Sequence, residues 1–489
     1  MAAVGNTRSC TTPTLENFVI GLDAGGMRSM SAELVSPHAE RVALAPYPAP
    51  AVGWYATVVL AFLYWLSVLD RFIISLLVDP IKHDLGLTDV QFGMLHGLAF
   101  IGAFTLFGLV FGALADRVSR RKLIYVGVTI WSIATAACGV AQGFWHLLVA
   151  RVGVGVGEAS LNPSATSMIT DLFPREKLTT AMAVYAIGAT VGSGTALIIG
   201  GAIVDLVSHL DAIVLPIVGE IRPWQAVFFI VGIPGALLAF SIFTLPEPAR
   251  RGKRTDPAPS GLKQSNLGSA YASLFKFMRA RPRFFLYHYL GFTFASAVIT
   301  GGVAWYPVHI SRTFGWSAGE IGAALGPALM IAGIVGKLAC GRIVDLMYQR
   351  GYRDAQLRWY GVCLLLATPI GVFATINGNV WTFIIAIAVF MTLVGALQAC
   401  ALTALNLITP NQLRGTGVAV FTTFAGLVGG GAGPVLVAAL SDLGGQPSIG
   451  LGLAVMIGIC CPLGAVCLLL GLRSMREAMA ESEQVTTAR

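Results

Sequence analysis

The chain has 489 residues, of which 56% are hydrophobic and 11% charged, and its mean hydropathy is +0.76. Soluble domains carry roughly 25% charged residues, so a soluble globular protein is excluded and a bilayer protein is predicted. The net charge of +8 and the pI near 9.1 do not signal nucleic acid, because the cations are sorted by loop rather than gathered on one binding face.

Residues 1–50 are rich in Ala, Pro and Ser and hold no apolar core flanked by a basic region and a cleavage site. They are expected to be a disordered cytoplasmic tail rather than a signal peptide, with Met1, Met27 or Met30 as the start. From Trp54 to Gly471, apolar runs of about 20 residues recur, each long enough to cross a hydrocarbon core of about 30 Å as a helix. Strand-period alternation is absent, which argues against a membrane barrel. The expected helices cover 54–78, 89–114, 122–141, 145–170, 178–204, 224–245, 285–308, 318–342, 358–376, 380–405, 415–440 and 449–471. The predicted class is an all-α polytopic membrane protein with about twelve transmembrane helices in two six-helix bundles. The bundles are expected at 51–246 and 284–472, with a basic cytoplasmic loop at 247–283 and a cytoplasmic tail at 473–489.

Of the 32 lysines and arginines, this layout leaves Lys82, Arg222 and Arg312 in loops on one side and Arg71, Arg151 and Lys337 inside helices. The rest lie in the tails and the opposite loops, so both termini are expected in the cytoplasm. The eight cysteines fall mostly within helices and read as packing residues.

The halves repeat. Gly112-Ala113-Leu114-Ala115-Asp116-Arg117, with Arg120 and Arg121, follows the second helix, and Gly341-Arg342-Ile343-Val344-Asp345 ends the eighth. Pro174 after the fourth helix is echoed by Pro410 after the tenth. Two landmarks recurring in order predict a parallel repeat whose halves rock around a midplane site. Gly112 permits close helix approach, and Asp116, Arg117, Arg120, Arg121 and Asp345 are read as a charged conformational latch.

The fourth helix carries Arg151, Gly153, Gly155, Gly157 and Glu158 in otherwise apolar surroundings. Charges at that depth mark functional sites by default. Asp70 lies roughly 13 Å inside the outer end of helix one and Arg151 roughly 9 Å inside that of helix four, at 1.5 Å per residue, so the two are expected to meet at nearly one level. Glu158 faces nearly the same way as Arg151, about 10 Å deeper. Asp70 and Glu158 are therefore read as proton-titrating carboxylates, Arg151 as a switchable partner, and Arg71 or Arg151 as the holder of an anionic head group. A static ion pair tying helix one to helix four is the bland alternative.

The Asp116 loop resembles the signature between helices two and three of the major facilitator superfamily. Leu69-Asp70-Arg71-Phe72, Gly112 to Arg117, Arg151 to Ser160, and Trp224 to Leu245-Pro246-Glu247-Pro248 resemble the spinster-like lysolipid and sphingolipid transporters. That resemblance implies the superfamily fold, alternating access, a monomer in the inner (plasma) membrane of a bacterium, and a lysophospholipid, sphingosine or sphingosine phosphate as substrate. A drug exporter or a small organic-anion porter is the alternative within the same fold. No cofactor or metal is expected, the proton gradient being the energy source, and the partners are an amphipathic substrate, protons and membrane lipids.

Weaker candidates are His96 and His288 as proton shuttles, Lys337 as a snorkelling cation, and Tyr289, Trp305 and Tyr306 as walls of an acyl-chain passage, with Tyr306 taken as substrate-binding. There is no Gly-x-Ser-x-Gly elbow, His-Glu-x-x-His or P-loop, so an enzyme is not expected.

Overall fold

The structure, a computed structural model, describes residues 47–115, 117–209, 213–215, 219–250, 267–410, 413–444 and 448–487. Asp116, the tail through residue 46 and residues 251–266 of the central loop lie outside the described residues. Among the described residues, helix fills twelve apolar segments, numbered as spans 1–12. Spans 1–6 are Pro50–Leu76, Asp89–Ala115, Arg120–Cys138, Phe144–Glu158 continued by Leu161–Leu172, Arg175–Ser208 and Pro223–Thr244. Spans 7–12 are Pro282–Phe314, Ala318–Gln349, Ala355–Ile376, Val380–Ile408, Arg414–Ser441 and Ile449–Thr487. Ten are long and apolar enough to cross a membrane by length and composition. Span 3 falls short because it opens on Arg120-Arg121-Lys122, and span 4 because it is broken.

The break in span 4 departs from the continuous helix expected at 145–170. Pro163 has no N–H to donate, and its ring crowds the carbonyl four residues back, at Ala159. Helix accordingly stops at Glu158 and restarts at Leu161, with the Ser160 hydroxyl donating to the Gly157 carbonyl at 2.8 Å. Span 12 also runs past Gly471. The segment beyond has no further Gly or Pro, and Arg473 donates to Glu477 one turn on at 2.8 Å. The central loop holds a helix, Leu267–Ala280, whose apolar residues Tyr271, Leu274 and Met278 recur at helical spacing. A short hairpin, Ile213–Leu215 with Gly219–Ile221, joins spans 5 and 6.

The two halves pack backbone against backbone toward one end. Gly326 of span 8 lies against Gly194 of span 5, where an added Cβ would come within 2.6 Å of the Gly194 carbonyl. Spans 2 and 11 close in the same way, Gly97 against the Gly431 carbonyl. Missing side chains thus let the backbones touch. Toward the other end a Cβ on Gly108, Gly112, Gly333 or Gly341 would meet nothing within 4 Å, so no such backbone contact is made at these four positions and this end is the more open one. Between the closed and open ends, spans 2 and 11 each wind one wider π-helical stretch, Leu95–Ile101 and Ala425–Gly430. Such bulges redirect side chains and recur at functional sites.

Candidate functional site

Those two stretches help line a central cavity of about 610 Å³. Arg71, His96, Phe100, Phe104 and Asn162 face it from the first half, and Thr300, Gln398, Thr422 and Gly426 from the second. One wall is therefore cationic and aromatic, the other uncharged and hydroxyl-rich.

Arg71 sits in that wall through its place on span 1, where Ser67 lies four residues before it and Asp70 one residue before it. Ser67 and Arg71, four residues apart, point the same way. Ser67 Oγ and Arg71 Nη2 both donate to Glu158 Oε2, at 2.7 and 2.6 Å. Asp70 is rotated toward span 3, where Thr135 donates to it. Arg151 lies one face with Glu158, two turns earlier on span 4. Its guanidinium is fully buried, and Nε, Nη1 and Nη2 have no hydrogen-bond partner among the described residues. It rests on the Phe100 ring at 4.9 Å from the centroid, and Arg71 rests on the same ring at 4.9 Å and on Phe104 at 5.0 Å. Such cation–π contacts contribute about 2 kcal/mol when desolvated.

This arrangement corrects the expected pairing. Asp70 and Arg151 form no hydrogen bond with each other; the formed pair is Arg71–Glu158. One residue of offset turns Asp70 about 100° away from Arg71, and the turn, rather than depth, decides the partner. Arg71 is also the charged residue that reaches the cavity, because Arg151 is shielded behind Phe100. Asp70 Oδ1, Glu158 Oε1 and Arg71 Nε are left without hydrogen bonds among the described residues. The four charges sum formally to zero, with open valences on each member. His96 lines the cavity, its Nδ1 without a hydrogen-bond partner among the described residues.

Other expected site residues land elsewhere. Tyr306 is fully buried against Phe383, centroid distance 5.9 Å, and does not line the cavity; its place in span 7 is nearer the closed end. Trp305 donates to the Pro434 carbonyl at 2.8 Å. Lys337 does not only snorkel, since its ammonium donates to Thr190 of the other half at 3.2 Å. His288 is buried among Phe284, Phe292 and Phe421, with Nε2 against the Ala401 carbonyl at 2.9 Å.

The latch residues form ties within a half rather than across halves. Arg120 is buried and bonds Asp171, Glu247 Oε1 at 3.0 Å and the Pro248 carbonyl at 2.6 Å. Ser119 Oγ and the Arg121 amide donate to Glu247 Oε2 at 2.7 and 3.1 Å. Burial raises the Glu247 carboxyl, but these donors and the Arg120 charge hold it below the ordinary glutamate value. Gly112 has open space around it, Arg117 is exposed, and Asp116 is outside the described residues. Asp345 is exposed, with no ion pair among the described residues. The counterpart in the second half is Asp354, held by Arg358 at 3.0 Å and by Arg476 of span 12. Each half thus fastens the loop after its second span to the exit of its sixth, with the signs reversed.

At the closed end the charges do cross. Arg312 of span 7 bonds Asp79 at 2.6 Å and Asp89 at 2.9 Å, both in the first half, and Lys82 pairs with Asp89. Sequence reading placed Lys82 and Arg312 in loops and gave them no role.

Comparison with known proteins bears on the family and the fold. A family model described as Major Facilitator Superfamily matches residues 60–427. The chain is 27% identical, over 93% of its length and 99% of the relative's, to a Mycolicibacterium smegmatis protein described as "MFS-type efflux pump". It is 27% identical to a "Probable sphingolipid transporter spinster homolog 2" of Arabidopsis thaliana, over 55% of this chain and 53% of that one. A crystal structure of "A Bacterial Homolog to Human Lysosomal Transporter, Spinster, in Inward-facing And Unoccupied Conformation" superposes with TM-score 0.71 at 27% identity, covering 88% of this chain and 98% of that one.

Proposed function

The chain belongs to the major facilitator superfamily, and from that premise we propose that it is a proton-coupled transporter of an amphipathic, anionic, lipid-like molecule, with both termini in the cytoplasm and the cavity facing inward. The observation that carries the reading is Arg71, which lines the cavity and at the same time pairs with the buried Glu158 at 2.6 Å. One guanidinium serves one anion well. A substrate head group in the cavity competes with Glu158 for Arg71, and a proton on Glu158 releases Arg71 to the substrate. Proton and anion thereby bind together. Asp70 and Arg151, each with unfilled hydrogen-bonding capacity, lie behind this pair as the groups that regroup when the halves rock. Phe100, Phe104 and Ile299 provide apolar wall for a tail. The sphingolipid relative supports a lipid-like substrate, and a lysophospholipid or sphingosine phosphate fits a single cationic contact beside aromatic rings.

The test is uptake of a lysolipid or sphingoid phosphate by reconstituted vesicles with and without an imposed pH gradient. Gradient-dependent flux that becomes gradient-independent in Glu158→Gln and Asp70→Asn supports the reading; flux indifferent to both sinks it. A second reading, export of a hydrophobic drug, is favoured by the efflux-pump relative matched over nearly the whole chain. Efflux of a fluorescent cationic compound that lysolipids do not inhibit would select it.

A further inference from the structure

Away from the central cavity, a groove of about 480 Å³ runs between the loop helix Leu267–Ala280 and the start of span 7. Its walls are Met278, Phe285, Leu286, Leu290 and Phe424. Leu286 is 55% exposed, so the groove opens sideways on an apolar face of the molecule. Two polar groups interrupt this lining. Arg283 stands at the mouth, exposed and without an ion pair among the described residues. Tyr289 stands in the wall, 7% exposed, and its hydroxyl has no hydrogen-bond partner among the described residues. A buried hydroxyl left unpaired in an apolar slot is unfavourable and calls for an acceptor.

The loop helix, which contributes Met278 to the groove, carries further cations. Leu274 anchors it, packing 3.7 Å from where a Cβ on Gly417 of span 11 would lie. Lys276 and Arg279 are exposed beside Phe275, itself 58% exposed. Basic side chains next to an exposed aromatic on an amphipathic helix suit the plane where headgroups meet acyl chains. Neighbouring Arg281 is already engaged, with Glu481 at 2.7 Å and the Phe277 ring at 4.5 Å, which leaves Arg283 as the groove-lining cation without an ion pair among the described residues, with Lys276 and Arg279 exposed on the adjoining helix.

We propose that this groove binds one anionic phospholipid drawn from the leaflet that meets the basic loops. Its phosphate sits on Arg283, supported by Lys276 and Arg279. One acyl chain lies along Phe285, Leu286 and Leu290, and an ester carbonyl accepts from the Tyr289 hydroxyl. The lipid is a resident ligand of the second half, distinct from transported substrate, and it fastens the loop helix to spans 7 and 11.

The full chain, reconstituted in equal phosphatidylglycerol and phosphatidylcholine and extracted for native mass spectrometry, reads retained lipid directly. The expected result is retention of phosphatidylglycerol over phosphatidylcholine, reduced at least about fivefold in Arg283→Glu, since a surface cation is worth roughly that factor toward an anionic lipid. Leu290→Trp, which fills the groove without changing charge, is expected to lose it as well, and it decides the matter if Arg283→Glu does not fold. Arg350→Glu, exposed at the same end but after span 8, is expected to keep it. Equal retention of both lipids by the unaltered chain, or equal loss in Arg350→Glu and Arg283→Glu, overturns the proposal.

Discussion

Arg71 joins stability to function in one side chain. It is the partner of a carboxylate with no exposed surface, and 27% of its own side chain faces the cavity. Removing one member of a buried pair costs about 3–5 kcal/mol because the other charge stays buried alone. Arg71→Ala is therefore expected to destabilise the chain by about 3 kcal/mol, the lower end, because the guanidinium is part-solvated. Adding Glu158→Gln should restore most of that loss without restoring transport; unfolding midpoints of the four-member cycle check it, and additive losses would show that the pair is not coupled. Ser67 was not singled out in the sequence, although it stands one helical turn before Arg71 and shares its partner Glu158. Thr135 and Phe100 could not have been, because nothing in a lone threonine or phenylalanine on another span says which face it turns.

At the level of elements, each half is pinned to its own exit. For Glu247 the sign follows from its depressed carboxyl: the tie contributes stability above the ordinary glutamate value and loses it as pH falls through the lower folded value. The melting temperature is expected to drop between about pH 5 and pH 3, and Glu247→Gln should flatten that part of the profile while lowering the neutral plateau. An unchanged profile in Glu247→Gln would remove Glu247 from the account. Asp354 is held down likewise: burial raises it, and Arg358 and Arg476 outweigh burial. The cross-half ties belong to the other end. Arg312→Gln removes both contacts to the first half, to Asp79 and Asp89, and is expected to populate a state open at that end. Spin labels at His83 and Gly378, one in each half, should then show a longer distance component. A distribution identical to the parent would mean that backbone packing alone holds the end shut.

For the whole molecule, alternating access requires that the closed end open and the open end close. Glycines set how near the backbones come at the closed end. Gly326→Leu places atoms where the Gly194 carbonyl now lies 2.6 Å from the added Cβ position. It is expected to leave each half folded, to shift the same spin-label pair to the longer distance and to abolish transport. Normal transport by a folded Gly326→Leu chain would show that this contact does not gate the cycle.

The sequence by itself determined the class, the span positions to within a few residues for most helices, and the placing of Asp70, Arg71, Arg151 and Glu158 within apolar helices. Bilayer length, cation placement and the cost of buried charge act along one chain and leave their marks in order. Tertiary structure alone decided that Arg71 and not Arg151 meets Glu158, that Phe100 screens Arg151 from the cavity, that Tyr306 packs away from it, and that Arg312 crosses between halves while Arg120 does not. Those outcomes depend on helix rotation and on which spans become neighbours. A rotation of 100° per residue exchanges one partner for another, and no local pattern records which neighbour waits there.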